Sequence, residues 1–285
     1  MSDPIFPGLL GMDRHALSHQ HTDDQGNVWQ FGNIPFAPRL SWQEFGSTPQ
    51  TRLIPRSEWK SILQGQDLSV RDIWGHPIAN QQSVGMCNAA ATATAIEKAR
   101  ARQGLPRIQL SGGDLYHRIA VGGQDNGSLL EDGLREAMHN GVASTDVVPY
   151  MDWTNNYGDL AVQSRKKYRV LEALLCPTFD HAFSAALMGF PLIIGIMWYD
   201  NFRVDSRGWL PLRGEGGRGG HAFCGDKPVY DGDVYGIACP NSWTTKWGAE
   251  GRFVMAQHLF GREITGCWAV TSVVTEDGDV PVPKS

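Results

Sequence analysis

Two kinds of hydrophobic spacing occupy different parts of the chain. Between residues 87 and 188, apolar side chains recur at helical spacing, which predicts a helix from Cys87 to a stop at Gly104, a second over 128–140 with a Ser128–Glu131 capping box, and a third over about 180–188. Later, short apolar runs predict strands at 192–198, 235–239, 252–255 and 268–274. Helices followed by strands predict an α+β chain with segregated lobes.

The two ends of the chain lack such patterns. Residues 1–52 are rich in Pro, Gly, Gln, Asn and His and show no sustained periodicity, which predicts an extended N-terminal arm before a domain at 53–274 and a flexible tail at 275–285. The arm contains imidazoles and carboxylates that suit a metal, but a solvated polar segment is the commoner explanation, and no metal or other cofactor is predicted. These side chains are His15, His19, His21, Asp23 and Asp24.

Composition favours a globular protein that acts on neither nucleic acid nor membrane. The chain has 285 residues, 41% of them hydrophobic, and ten tryptophans, which is enough material for a large buried core. Its net charge of -5 offers no basic surface for DNA or RNA. No apolar run approaches the roughly eighteen residues of a membrane span, and the first residues lack the pattern of a secretory signal. A cytoplasmic location is therefore the default expectation.

The five cysteines do not form an evident disulfide or zinc pattern. They stand at positions 87, 176, 224, 239 and 267, an odd number at wide spacing. Four are predicted to be core residues. Cys87 differs because it opens the predicted alanine-rich helix, where unpaired backbone amides and the helix dipole stabilise an anion. Cys87 is therefore a candidate nucleophile.

A nucleophilic thiol needs partners, and the sequence offers them downstream. A free cysteine is only a few per cent ionised at neutral pH, so an imidazole close to it has to favour the thiolate. His221 follows Cys87 by 134 residues, and Asn241 follows His221 by twenty. An asparagine side-chain oxygen that accepts the ring N–H would orient the imidazole without adding charge. Cysteine, histidine and asparagine in this order predict covalent acyl-transfer chemistry.

The residues around these three positions resemble the papain-like cysteine peptidases, and most closely their bacterial, disulfide-poor members. A glutamine lies six residues before Cys87, a glycine two residues before it, and a helix after it. Asn241 opens an Asn-Ser-Trp motif that is followed by Trp247-Gly248. The resemblance covers about residues 53–267. It implies a two-lobe fold, with a helical lobe that carries the nucleophile helix, an antiparallel β-barrel-like lobe, and the active-site cleft between them.

The resemblance also implies a role for each matching residue. Cys87 would attack the carbonyl carbon, His221 would act as general base and then general acid, and Asn241 would orient the ring. The oxyanion would be held by the Gln81 side chain and the backbone N–H of Cys87. Trp243 would cover the hydrogen bond between asparagine and histidine, and further residues would border the substrate. These substrate-binding residues are Gly85, Gly127, Ser128, Gly220 and Trp243.

The function so implied is hydrolysis of peptide bonds in a polypeptide substrate through a thioester acyl-enzyme, without a cofactor. Some walls of the site depart from the family pattern, with Asn88 where tryptophan is usual, Met86 where serine is usual, and Val84 at a common disulfide position. Alternatives stay open: a catalytically weak binding or assembly module of a larger complex such as a phage particle, a peptidoglycan-peptide hydrolase, or an amide transferase. Residues 1–52 would serve either as an inhibitory arm or as a docking segment for a partner.

Overall fold

Seven α-helices and eleven strands are assigned within residues 20–35, 38, 41–72, 74 and 77–275, which are the residues that the computed structural model describes. The helices are α1 (Arg56–Gly65), α2 (Cys87–Arg102), α3 (Gly112–Ile119), α4 (Leu130–His139), α5 (Gly158–Lys166), α6 (Phe179–Leu187) and α7 (Gln257–Glu263). The strands are β1 (Gln20–Thr22), β2 (Val28–Gln30), β3 (Asn33–Ile34), β4 (Ser128–Leu129), β5 (Val170–Leu175), β6 (Leu192–Tyr199), β7 (Arg218–Gly225), β8 (Lys227–Tyr230), β9 (Tyr235–Pro240), β10 (Arg252–Ala256) and β11 (Ile264–Val273).

The strands form two larger antiparallel sheets and two small pairs. The first sheet has the order β5-β11-β6-β7, and the second has the order β10-β9-β8. β1 and β2 form a short hairpin, and β3 pairs with β4 in parallel. His221 lies in β7, and Asn241 follows the last residue of β9. The two larger sheets thus carry the two residues predicted to assist Cys87.

Helix α2 is buried along most of its length. It packs against α3 and α4 and against the sheet strands β6, β7 and β11. Alanine occupies many of its positions because a small side chain lets neighbouring elements approach closely. A buried ion pair fixes its orientation, since Lys98 Nζ lies 2.8 Å from a carboxylate oxygen of Asp226 just after β7. The first turn of α2, which contains Cys87, therefore has a defined position against β7.

The predicted α+β architecture with a helical part and an antiparallel sheet part is confirmed. The predicted helices near 87 and 180 and all four predicted strands are present, although β11 begins four residues earlier than expected. The prediction of a capping box at Ser128 is wrong. Ser128 lies in β4, and its hydroxyl accepts a hydrogen bond from Asn88 Nδ2 at 3.0 Å, so α4 begins only at Leu130. Further elements were not predicted, namely α1, α3, α5, α7, β1, β2, β3, β4, β5, β7 and β8.

The described part of the N-terminal arm lies against the domain. Trp29, which lies in β2 of the β1–β2 hairpin, and Phe31, just after β2, belong to the main hydrophobic core. The prediction of a solvated polar segment is wrong for His21 and Asp23, which are only 1% and 7% exposed. His15 and His19 lie outside the described residues, as does nearly all of the predicted tail. Among the helices that the structure describes, none is long and apolar enough to span a bilayer.

Candidate active site

A tight loop over residues 80–86 leads the chain into α2. Gln82 has a positive φ of 50°, and its backbone N–H donates to Asn80 Oδ1 at 2.9 Å. The N–H of Met86 donates to the carbonyl oxygen of Val84 at 2.8 Å. These contacts place Cys87 as the first residue of α2, with its side chain fully buried.

Burial favours the neutral form of the Cys87 thiol. Burial raises its pKa to about 11, while four backbone N–H groups that hydrogen-bond to the sulfur act in the opposite direction. One of these groups belongs to Ala222, which follows His221 in β7, and another is the N–H of Asn88 in the first turn of α2. The other two belong to Gly32 and Asn33 of the N-terminal arm. The arm therefore contacts the predicted nucleophile itself.

His221 is fully buried, and its two ring nitrogens have different surroundings. Nε2 lies 2.8 Å from Asn241 Oδ1, and the same oxygen accepts the backbone N–H of Ser242 at 2.9 Å. Because Oδ1 acts as the acceptor for Ser242, the Nε2 atom of His221 has to donate, so Nδ1 carries no proton in the neutral ring. Nδ1 has no hydrogen-bond partner among the described residues. Burial lowers the pKa of His221 to about 3, and the hydrogen bond to Asn241 opposes this shift.

A hydrogen-bonded chain joins the loop before Cys87 to Asn241. The Oε1 atom of Gln81 accepts from the Ser242 hydroxyl at 2.5 Å, and the Gln81 backbone N–H donates to the Ser242 carbonyl oxygen at 2.9 Å. Ser242 in turn contacts Asn241 through its own N–H. Gln81 and Asn241 are thereby held in one network that ends at His221. The linking role of Ser242 was missed, although the residue stands within the Asn-Ser-Trp motif.

Trp243 lies over the imidazole of His221. The two rings stack with centroids 4.6 Å apart and an interplanar angle of 29°. Two residues of the arm also stack on Trp243, namely His21 at 5.2 Å and Trp29 at 5.7 Å. The indole is fully buried, and its stacking shields one face of the His221 imidazole from water.

The predicted substrate-binding glycines all contact the arm. A Cβ atom added to Gly32 would lie 1.7 Å from the carbonyl oxygen of Gly85. Cβ atoms added to Gly127 and Gly220 would lie 2.5 Å from Gly32 O and 2.0 Å from Asn33 O, respectively. Backbone approaches as close as these require glycine. The arm therefore runs between Gly85, Gly127 and Gly220.

Hydrogen bonds hold the arm in this position. The Ser128 N–H donates to Gly32 O at 2.7 Å, next to the parallel pairing of β3 with β4. The side-chain amide of Gln81 donates from Nε2 to the Gln30 carbonyl oxygen at 2.8 Å and to Val84 O at 2.9 Å. The side-chain amide that was predicted to hold an oxyanion thus donates a hydrogen bond to a backbone carbonyl of the arm.

A second hydrogen-bond network, which was not predicted, connects the loop before Cys87 to the segment that contains Asp125 and Gly127. Asp125 Oδ1 accepts the N–H of Gly85 at 2.8 Å and the hydroxyl of Tyr116 at 2.7 Å. The Tyr116 oxygen in turn accepts the N–H of Gly127 at 3.0 Å. Burial, together with the bond to Asp125, raises the pKa of Tyr116. These bonds connect the segments containing Val84 and Asp125 without a disulfide.

Asn88, which stands where tryptophan is usual in the family, has a structural contact of its own. Its Nδ2 donates to Ser128 Oγ at 3.0 Å and to the Leu129 carbonyl oxygen at 2.7 Å. The side chain thus ties the first turn of α2 to β4. Within the part of the chain that the structure describes, no group of three or more His, Cys, Asp or Glu side chains is placed to hold a metal ion.

Comparison with known proteins identifies the family. A family model described as papain family cysteine protease matches residues 66–275. The chain therefore belongs to the papain family of cysteine proteases, whose substrates are polypeptides. A search of curated protein sequences finds no match.

Solved structures with the same fold share little sequence with the chain. Xylellain, a cysteine protease from Xylella fastidiosa, is 19% identical with a TM-score of 0.66, over 89% of this chain and 98% of that one. Procathepsin B S9 from Trypanosoma congolense is 17% identical with a TM-score of 0.64, over 86% of each chain. Bromelain from Ananas comosus, in complex with the E64 inhibitor, is 17% identical with a TM-score of 0.57, over 70% of this chain and 95% of that one. At these identities the likeness shows the fold alone.

Proposed function

We propose that the chain hydrolyses peptide bonds through a triad of Cys87, His221 and Asn241 and a thioester acyl-enzyme. One observation carries the proposal. The 2.8 Å bond from His221 Nε2 to Asn241 leaves Nδ1 as a buried proton acceptor, and the N–H of the next residue, Ala222, contacts the Cys87 sulfur. Nucleophile, base and orienting group are thus carried by elements that pack against one another.

The reaction proposed for this site proceeds in two halves. Nδ1 of His221 takes the thiol proton, and the sulfur of Cys87 attacks the carbonyl carbon of the peptide. The resulting oxyanion accepts hydrogen bonds from Gln81 Nε2 and the Cys87 N–H. His221 then gives its proton to the leaving nitrogen, the C–N bond breaks, and a thioester remains. Water attacks the thioester with His221 as its base, which releases the acid and restores the thiol.

We also propose that the arm inhibits this reaction. Its Gln30 carbonyl occupies the Gln81 amide, and its Gly32 and Asn33 amides contact the sulfur. With the arm in place, burial favours a neutral thiol and a neutral imidazole. Release of the arm would admit water and substrate, and the solvated pair would then form a thiolate and an imidazolium.

A peptide that carries an electrophilic epoxide tests the proposed chemistry. The probe is applied to the variant Gly32→Ala, in which the added methyl group clashes with Gly85 and should open the arm. We expect it to alkylate Cys87 at pH 7 and to leave the other four buried cysteines unmodified, because in the proposed site His221 takes the proton of Cys87. Peptide mapping by mass spectrometry identifies the modified residue, and replacement of His221 by alanine should slow the modification. Modification of Cys87 at equal rates with and without His221 would contradict the proposal and would favour a binding module.

His21 should make closure of the arm dependent on pH. Its ring is buried against Trp243, and its Nε2 lies 3.3 Å from Arg203 Nη1. Burial, followed by the charge of Arg203, lowers its pKa from 6.5 to about 4, while Asp200, Asp23 and Asp24 act in the opposite direction. The buried ring is neutral, so exposed His21 binds a proton that buried His21 does not. Closure is therefore favoured above pH 6.5 and weakens as the pH falls towards 4.

Urea denaturation at pH 7 and pH 4.5 measures this effect. Between these values the wild type should lose about 2 kcal/mol more of its free energy of unfolding than the variant His21→Gln, because a glutamine has no proton to gain. His221 titrates in both proteins and cancels in the comparison. Equal losses in wild type and variant would show that His21 does not couple the arm to pH.

A further inference from the structure

The buried side chain of Asn33 lies in a space bordered by Gly195, Thr265 and Leu130, which we call the pocket. The residue is 5% exposed, and its backbone N–H contacts the sulfur of Cys87. Its side-chain Nδ2 lies 3.2 Å from Thr265 Oγ1, whereas its Oδ1 has no hydrogen-bond partner among the residues described. Asn33 of the arm thus contacts the nucleophile with its backbone and fills the neighbouring pocket with its side chain.

The pocket is formed by two irregular positions in the central sheet. β11 pairs Ile264 with Ile196 and Gly266 with Gly195, so Thr265 is an extra residue in the register. A bulge of this kind redirects a side chain. A Cβ atom on Gly195 would lie 2.8 Å from both Asn33 Nδ2 and Thr265 Oγ1, and 3.0 Å from Leu130 Cδ2. Glycine at 195 therefore keeps the pocket open, and Thr265 makes it polar.

We propose that Thr265 and Gly195 select substrates that place an asparagine or glutamine side chain in this pocket. The inference rests on the proposed function, since it assumes that a substrate replaces the arm in the cleft. A threonine hydroxyl can donate or accept, so it pairs with either end of a carboxamide. An aliphatic side chain would leave the buried hydroxyl unpaired. A charged side chain would lose its hydration on entering the pocket. The partner that Asn33 has there among the described residues, the Thr265 hydroxyl, carries no charge that could compensate for this loss.

The arm of the full-length chain provides a first test that requires no hydrolysis. The rate of Cys87 alkylation by iodoacetamide reports how firmly the arm closes. We expect Asn33→Leu and Thr265→Val each to raise this rate about tenfold, because each removes one partner of the hydrogen bond. The double variant, with an apolar group on both sides, should react more slowly than either single variant. Asn156→Leu, at an exposed asparagine, serves as the control and should leave the rate unchanged.

A peptide library tests substrate selection directly. The full-length variant Gly32→Ala, in which the added methyl group clashes with Gly85, supplies an open cleft. It should cleave peptides with asparagine or glutamine at one position at least tenfold faster than peptides with leucine, aspartate or lysine there. Addition of Thr265→Val should abolish the preference. If peptides are hydrolysed without this preference, the pocket assignment is wrong and the proposed function stands. The same holds if the double variant of Asn33→Leu and Thr265→Val is alkylated faster than either single variant. Absence of all hydrolysis overturns the proposed function, and the specificity inference with it.

Discussion

Replacement of Cys87 by alanine is expected to abolish peptide hydrolysis, with a loss in kcat of roughly a millionfold, the scale found when a triad nucleophile is removed. The sulfur forms the bond to the acyl group in the proposed mechanism, and alanine has no atom that can replace it. The free energy of unfolding should fall by only about 1 kcal/mol, because the substitution removes one buried atom and no buried charge. Loss of activity and retention of the fold are therefore expected together.

The assay combines hydrolysis of a protein substrate with urea denaturation. Cys176→Ala is the matched control, because it removes another buried thiol that lies outside the proposed site. It should lower stability to a similar extent and retain hydrolysis. The Cys87 substitution should be compared in the wild type and in the Gly32→Ala background, so that closure of the cleft does not hide the difference. Turnover by Cys87→Ala in the open background would refute the assignment of the nucleophile.

The core of the fold could be predicted because its signals are local. The alanine-rich run after Cys87 forms α2, and the apolar run after position 191 forms β6, as their spacing indicated. The candidate triad was also predictable, since thiol chemistry requires an imidazole and a group that orients it. The bond between His221 and Asn241 joins the expected atoms at 2.8 Å. Their catalytic roles stay a prediction.

Contacts between distant residues explain what the sequence did not reveal. Residues 20–35 have no periodicity of their own, and their order comes from partners far along the chain, such as Gly85 for Gly32 and Trp243 for His21. Ser128 has a correct local capping signal, but Asn88, forty residues earlier, competes for its hydroxyl. The position of Thr265 in the pocket depends on a bulge that no local pattern marks.

Substitution of Gly32 by alanine is the second large effect that we expect, because it should open the cleft of the full-length chain. Alkylation of Cys87 and hydrolysis should both rise at least tenfold. The added Cβ atom would meet Gly85 O at 1.7 Å, a distance that no rotamer change can relieve, since both groups are backbone. The loop of Gly85 is held by Asp125 and by the start of α2, whereas residue 32 belongs to a segment without regular structure between β2 and β3. The arm should therefore be the part that moves.

Gly65→Ala is the matched control for this substitution. It adds the same methyl group at a glycine in α1 with no neighbour within 4 Å of the new atom, so closure should be unaffected. The rate of alkylation, the rate of hydrolysis and the free energy of unfolding should be measured on all three proteins. Unchanged alkylation of Cys87 in Gly32→Ala would show that the arm does not limit access to the thiol. Faster alkylation without hydrolysis would instead separate the two proposals, because the arm would then cover a cleft that has no peptidase activity.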